Sequence, residues 1–134
     1  MSLTHDRNTP YRSRDFITLP IEANTTIFAG SLVAVNAAGN AVPGSTATTI
    51  KAVGRSEQYV VNNPGAAGAQ TVTVRRGVFK FANDSADPVA VANLLANCYI
   101  TDDQTVAATS ATNTKSVAGK VIEVDSDGVW VEIY

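Results

Sequence analysis

The 134-residue chain has very little of the chemistry on which most enzymes and metal proteins depend. It contains one cysteine and one histidine, so an intrachain disulfide is excluded and these side chains cannot form a zinc site by themselves. Charged residues are only 16% of the chain and the net charge is -2, which indicates neither a nucleic-acid nor an anionic-membrane partner. Its apolar runs are far shorter than the ~18 residues of a membrane span, and the polar N-terminus does not resemble a secretory signal.

The residues that are present predict one globular domain behind a polar arm. Hydrophobic residues are 45% of the chain, which is typical of a folded protein and not of a disordered one. Residues 1–14 lack periodicity and contain Arg7, Arg12 and Arg14. We expect a flexible arm there and a single β-barrel-like domain over residues 15–134. His5 lies in this arm, where it lacks the rigid placement that a general base needs.

Short alternating segments between turn residues predict roughly eight to ten β-strands. In QTVTVRRGVFKFAND, residues 70–84, apolar and polar residues alternate on both sides of Gly77, which predicts two strands with a bulge or sharp bend between them. Pro20, within FITLPIEA, favours an edge strand or a bulge. The spacing of the turns predicts an all-β fold, a small β-barrel or sandwich.

One segment departs from the strand pattern. In DPVAVANLLANCYI, residues 87–100, Asp87 is a candidate N-cap and the following proline suits the first helical position. Val91, Leu94 and Leu95 would lie on one helical face. These features predict one short helix of about two turns before a further strand.

The segment DSDG, at Asp125 to Gly128, has two interpretations. Two carboxylates one residue apart can begin a calcium loop, but such a loop needs a bidentate Glu about twelve positions from its first Asp. The sequence ends before that position, and regular alternation on both sides predicts strands. We therefore predict a hairpin turn containing Asp125, Asp127 and Gly128, in which Asp-Gly supplies positive φ angles, and no metal.

The remaining candidate groups also favour structural roles. Asp102 and Asp103 are adjacent, so on a strand they would face opposite sides and could not form an acid/base dyad; a turn in which Asp103 bonds to its own backbone is favoured. The stretch TDDQTVAATSATNTKS predicts a solvated loop between strands. Cys98 begins a predicted strand, where a buried and inert thiol is the ordinary expectation.

The chain also lacks motifs for phosphate or cofactor binding. GxxxxGK[ST] and GxGxxG are absent, and PGAAGA does not lead into a helix. Arg75 and Arg76 are the one basic pair outside the arm and would face opposite sides of a regular strand. Lys51 and Arg55 are candidates to join them in a positive patch, which the sequence leaves open. We expect a non-catalytic binding or structural protein without a cofactor.

The order of these features resembles that of phage capsid decoration, or cement, proteins. The likeness is carried by GVFKFAND at 77–84, ADPVAVANLLANCYITDDQTVAAT at 86–109, and VAGKVIEVDSDGVWVEI at 117–133. In the first half, IFAGSLVAVNAAGNAVPG at 27–44 is similar in style to the first hairpin of that family.

This resemblance implies a compact β-barrel-like virion protein on the capsid exterior, made in the bacterial cytoplasm. It implies binding to the major capsid protein, a homo-oligomer with a trimer favoured, and no catalytic residues. Arg7, Arg12 and Arg14 would then pair with acidic capsid groups. The alternative is a carbohydrate-binding or adhesion module of a phage fibre, with an aromatic platform for which the candidates are Trp130, Tyr59, Tyr99 and Tyr134. A small hydrolase using Asp84, Asp102 or Asp103 is a third hypothesis.

Overall fold

The computed structural model describes all 134 residues and confirms the predicted all-β fold class. Residues 1–15 contain no strand and are exposed. The strands are β1 (Phe16–Pro20), β2 (Thr25–Ile27), β3 (Leu32–Val35), β4 (Ala41–Pro43), β5 (Lys51–Ser56), β6 (Val60–Asn62), β7 (Thr71–Arg75), β8 (Gly77–Asn83), β9 (Asn97–Ile100), β10 (Thr105–Ala107), β11 (Val117–Asp125) and β12 (Gly128–Ile133).

The first half of the chain builds an antiparallel sheet of five strands. Their order is β1-β7-β5-β3-β4, so β1 is an edge strand, as Pro20 predicts. β2 and β6 form a separate two-stranded sheet.

The second half closes into a small barrel in the order β10-β8-β12-β11-β9. The chain passes from sheet to barrel between β7 and β8, where Arg76 is the one residue between the two strands. Gly77 has φ 156°, which side chains with a Cβ rarely adopt. The bend predicted at Gly77 is therefore confirmed, and it redirects the chain between the two halves.

Two hydrophobic cores lie on opposite faces of the five-stranded sheet. In β3 the side chains alternate, so that Leu32 and Ala34 belong to the barrel core while Val33 belongs to the second core. Ile27 of β2 closes the second core from the far side. The sheet is thus a shared middle layer between the barrel and the β2–β6 pair.

The predicted short helix is wrong: only a 3₁₀ turn forms, at Val91–Asn93. Asp87 does not cap it, because its carboxylate accepts hydrogen bonds from the backbone N–H and hydroxyl of Thr109. The Leu95 N–H donates to the carbonyl of Val121 and Leu95 has φ 65°, so the chain turns toward β11 instead of continuing a helix.

Two short strands are not predicted by the sequence pattern. β10 lies inside the Thr- and Ser-rich stretch that was predicted to be a solvated loop, yet Val106 and Ala107 are fully buried. β2 was missed as well. A strand of three residues shows too little alternation to be recognised, and here only pairing with neighbouring strands defines it. No helical segment has the length and hydropathy needed to cross a bilayer.

Candidate binding groove

The DSDG segment connects the last two strands. β11 ends at Asp125 and β12 begins at Gly128, with Asp125 paired to Gly128 across a two-residue turn. None of its residues has a positive φ angle, so the expected role of Asp-Gly is wrong. Glycine is required at position 128 for a steric reason instead, because a Cβ there would lie 2.7 Å from the carbonyl oxygen of Phe81.

The two carboxylates of this turn are engaged by a cation of the protein itself. Lys80 forms ion pairs with Asp127 and, at 3.1 Å, with Asp125. Hydrogen bonds with Asp127 and Lys80 hold the pKa of Asp125 below its ordinary value, and those with Asp127 and Asp125 raise the pKa of Lys80. The Trp130 indole N–H also donates to Asp125, at 3.2 Å. This arrangement holds the hairpin together.

Asp84 and Asp102, which were considered for catalysis, each accept hydrogen bonds from neighbouring groups of the chain. Asp84 accepts hydrogen bonds from the Ala86 backbone N–H at 2.9 Å and the Thr101 hydroxyl at 2.8 Å, and Lys115 lies 3.4 Å away. In the neighbouring turn it is Asp102, not Asp103, whose carboxylate accepts a backbone hydrogen bond, from the N–H of Gln104 at 2.9 Å. These contacts hold the local backbone in place. No three His, Cys, Asp or Glu side chains are grouped so that they could hold a metal ion.

Cys98 and His5 lie in contrasting places. Cys98 is fully buried in the barrel core, and burial raises the pKa of its thiol to about 12. It therefore stays protonated near neutral pH. His5 lies in the exposed arm, where its ring nitrogen is 3.3 Å from the Thr4 hydroxyl. The two side chains have no common site.

Two open surface cavities of about 410 and 390 Å³ lie between the sheet and the barrel, and Tyr134 lines both. Lys51 and Lys120 line the first, and Arg55, Arg75 and Arg76 line the second. We call these two cavities the basic groove. Every cation outside the arm lies here, apart from Lys80 and Lys115, which pair with carboxylates elsewhere.

Strand pairing explains why the arginines meet. Arg55 and Arg75 are direct partners in the β5–β7 ladder, and Arg76 follows where the chain leaves the sheet. Strand regularity ends at Arg75, so the alternation that would have placed Arg75 and Arg76 on opposite faces does not apply. The sequence showed the two neighbouring arginines and offered Lys51 and Arg55 as candidates for the same patch, but it could not place them together.

Aromatic rings and one carboxylate hold two of these arginines. Arg55 lies over Phe79, at 4.6 Å from the ring centroid, and pairs with Glu57 at 2.6 Å. Arg75 lies over Phe16 at 5.3 Å. The Nε of Arg76, in contrast, is enclosed and has no hydrogen-bond partner.

The arm leaves the folded domain at this groove. The backbone N–H of Arg76 donates to the carbonyl of Asp15 at 2.7 Å, and the Arg14 guanidinium lies 4.7 Å from the ring centroid of Tyr134. Arg7 and Arg12 are exposed farther along the arm, with Arg7 bonding only to the neighbouring Thr9 hydroxyl at 3.2 Å. Arg14 thus extends the positive charge of the groove, and the exposed arm carries the other two arginines.

Charge is strongly segregated in this chain. The arm and groove hold eight of the ten basic residues, accompanied by four carboxylates: Asp6, Asp15, Glu57 and Glu132. The other two basic residues, Lys80 and Lys115, share the rest of the chain with eight carboxylates. A nearly neutral total therefore conceals a positive region and a negative one, which the composition did not indicate.

A second surface feature pairs Tyr59, one of the candidates for an aromatic platform, with Phe28, which the sequence did not indicate. Phe28 and Tyr59 stack with ring centroids 5.4 Å apart, and both are more than half exposed. Phe28 also lines a cavity of about 360 Å³ with Asp103 and Gln104. Trp130, the aromatic residue singled out for a platform, is half-buried beneath Lys80.

Comparison with known proteins adds no relative: no family model, curated protein or solved structure matches the chain.

Proposed function

We propose that this chain is a non-catalytic virion protein that binds the outside of a phage head and stabilises the capsid lattice, with the major capsid protein as its partner. The resemblance of residues 77–84, 86–109 and 117–133 to capsid decoration proteins motivates the proposal. The engagement of Asp84, Asp102 and Cys98 in structural contacts agrees with a protein that binds and does not turn over a substrate.

The observation that carries the proposal is the concentration of positive charge in the arm and the groove, which together hold eight of the ten basic residues. An exposed arm with Arg7, Arg12 and Arg14 reaches beyond the domain, and the groove provides a fixed base for it. Ordering an arm on binding costs conformational entropy, which contacts with acidic partner groups offset. Weak contacts become strong when many copies bind a repeating lattice or when copies are linked.

A homo-oligomer, with a trimer favoured, belongs to the same proposal. Four exposed apolar side chains lie around the 3₁₀ turn and the adjoining part of β11: Val91, Leu94, Leu95 and Ile122. The Leu95 N–H bonds to the Val121 carbonyl, which keeps this patch together. Exposed apolar patches are common at protein interfaces, and sedimentation velocity measures the number of copies directly.

The test is co-sedimentation of the purified protein with mature heads of the phage that encodes it. We expect saturable binding by the full chain, and strongly reduced binding when residues 1–14 are removed. Lys80→Gln is a control, because it removes a cation that lies outside the arm and groove. A well-folded full chain that shows no affinity for heads would refute the proposal.

A glycan-binding module of a phage fibre is the second candidate, and the exposed Phe28–Tyr59 stack favours it. Aromatic faces next to polar groups such as Asp103 and Gln104 suit sugar rings. The two rings cover one another, however, so only their outer faces are open. A glycan-array signal that is lost in Phe28→Ala would support this candidate over head binding.

A further inference from the structure

We propose that the basic groove is the docking site for an acidic polypeptide segment, whose Asp or Glu side chains meet the groove arginines. This inference rests on the proposed function and deepens it, because it names the chemistry of the partner segment. It also assigns recognition to the folded domain, whereas the capsid-contact residues expected from the sequence lie in the arm.

Arg76 is the first argument, because its side chain lines the cavity and forms no ion pair within the chain. A guanidinium whose charge is not balanced by the fold is available to a ligand carboxylate. Guanidinium groups bind carboxylates in a planar, often bidentate geometry. Arg55 and Arg75 line the same cavity and are held in place by Phe79 and Phe16, so little side-chain freedom is lost when an acid binds.

The backbone next to the lysines is the second argument. In residues 51–53, β5 pairs with β3 on one side only, since β7 approaches β5 closely at Gly54 and pairs with it at Arg55 and Ser56. Lys51 and Ala52 of this stretch line the first cavity. The unpaired edge offers N–H and C=O groups to an extended polypeptide.

The same features disfavour a nucleic acid in this groove. Glu132 and Asp15 interrupt the cations of the groove, which repels a continuous chain of phosphates but leaves room for spaced carboxylates. Arg14, Arg55 and Arg75 already lie over Tyr134, Phe79 and Phe16, so these rings are poor stacking platforms for bases.

The experiment is isothermal titration calorimetry of the full chain with a synthetic dodecapeptide of alternating Glu and Gly, at low salt. A Gln-Gly peptide, a thymidine dodecamer and inorganic phosphate serve as comparison ligands. We expect the Glu-Gly peptide to bind most tightly and its affinity to fall as salt is added. Arg76→Gln should weaken it about tenfold, which is typical of losing a charge-assisted hydrogen bond.

Lys80→Gln is the matched control, since it changes the net charge equally but lies outside the groove, and it should alter affinity less than about twofold. Should Arg76→Gln fail to fold, as judged by circular dichroism, the substitution Arg75→Gln at an exposed position takes its place.

Three outcomes would overturn the inference: equal losses of affinity in the groove and control variants, no peptide binding at all, or tighter binding of the thymidine dodecamer. If the peptide binds but the protein does not bind heads, the groove proposal stands and the capsid function is rejected. If the protein binds heads but not the peptide, only the groove proposal is rejected.

Discussion

At the scale of single residues, the ionisable side chains of the domain form two groups. Some are paired within the protein, and others are available to a partner. Asp84 illustrates the first group: its side chain is only 13% exposed and joins the end of β8 to Thr101 and Lys115. Arg76 illustrates the second, because its half-buried side chain lines a surface cavity and forms no ion pair within the protein. The distinction follows from whether the fold itself satisfies the group.

We predict that Asp84→Asn lowers the free energy of unfolding by about 2 kcal/mol at pH 7, because Lys115 then loses its carboxylate partner in a largely buried place. Hydrogen bonds from the Ala86 N–H and the Thr101 hydroxyl hold the pKa of Asp84 below its ordinary 3.8. The stabilisation is therefore complete above that value and is lost as the pH falls toward the lower pKa of the folded state. Urea unfolding at pH 7, 4 and 3 measures it.

The difference between wild type and Asp84→Asn should shrink on acidification. Glu123→Gln is the control, since this exposed carboxylate forms no ion pair and its loss should change stability little. A stability difference that is the same at pH 7 and pH 3 would contradict the assignment of this effect to the ionised Asp84.

At the scale of elements, close backbone approaches fix how the strands meet. Gly54 lies where β5 meets β7, and a Cβ there would stand 2.1 Å from the carbonyl oxygen of Arg75. Gly119 of β11 is similarly close to the Glu132 carbonyl of β12, at 2.2 Å. The first of these contacts brings Arg55 and Arg75 together, so the geometry of the groove depends on it.

Gly54→Ala should therefore destabilise the protein by about 3 kcal/mol, because two paired backbones must separate to admit one methyl group. Urea denaturation measures the loss. Gly39→Ala is the comparison: Gly39 has φ 86° and open space around it, so only the backbone conformation costs energy, about 1 kcal/mol. Equal losses in the two variants would show that the β5–β7 approach is not tight.

At the scale of the whole molecule, the two hydrophobic cores are physically linked. In β3, Leu32 and Ala34 pack in the barrel core and Val33 packs in the second core. Loss of β3 would therefore disrupt both cores at once. The five-stranded sheet thus connects the barrel to the β2–β6 pair, and we expect the chain to unfold as one cooperative unit.

Two matched substitutions test this cooperativity. Ile27→Ala opens a cavity in the second core and Ile100→Ala opens one in the barrel core, each at about 3 kcal/mol. Both variants should show a single calorimetric transition at a lower temperature than wild type. Two separate transitions, with Ile27→Ala moving only one of them, would show that the cores unfold independently.

The sequence by itself determined the features that depend on local patterns. Alternation in residues 70–84 and 117–133 predicted strands because side chains on a strand alternate between faces, and Pro20 predicted an edge strand because proline has no N–H to donate. The same reasoning failed for Asp87, whose carboxylate bonds to Thr109, far along the chain, in preference to a local cap. It failed for β10 as well, because long-range pairing defines that strand.

Only the tertiary structure decided which residues share a surface. The groove cations belong to three separate strands, Lys51 and Arg55 to β5, Arg75 to β7 and Lys120 to β11. The β5–β7 ladder and the packing of the barrel against the sheet bring them to one groove. Composition records the sum of the charges and not their positions, so a net charge of -2 gave no sign of this positive region. The physical reason is that strand alternation acts over neighbouring residues, whereas the electrostatic field of a surface depends on distances that only the fold sets.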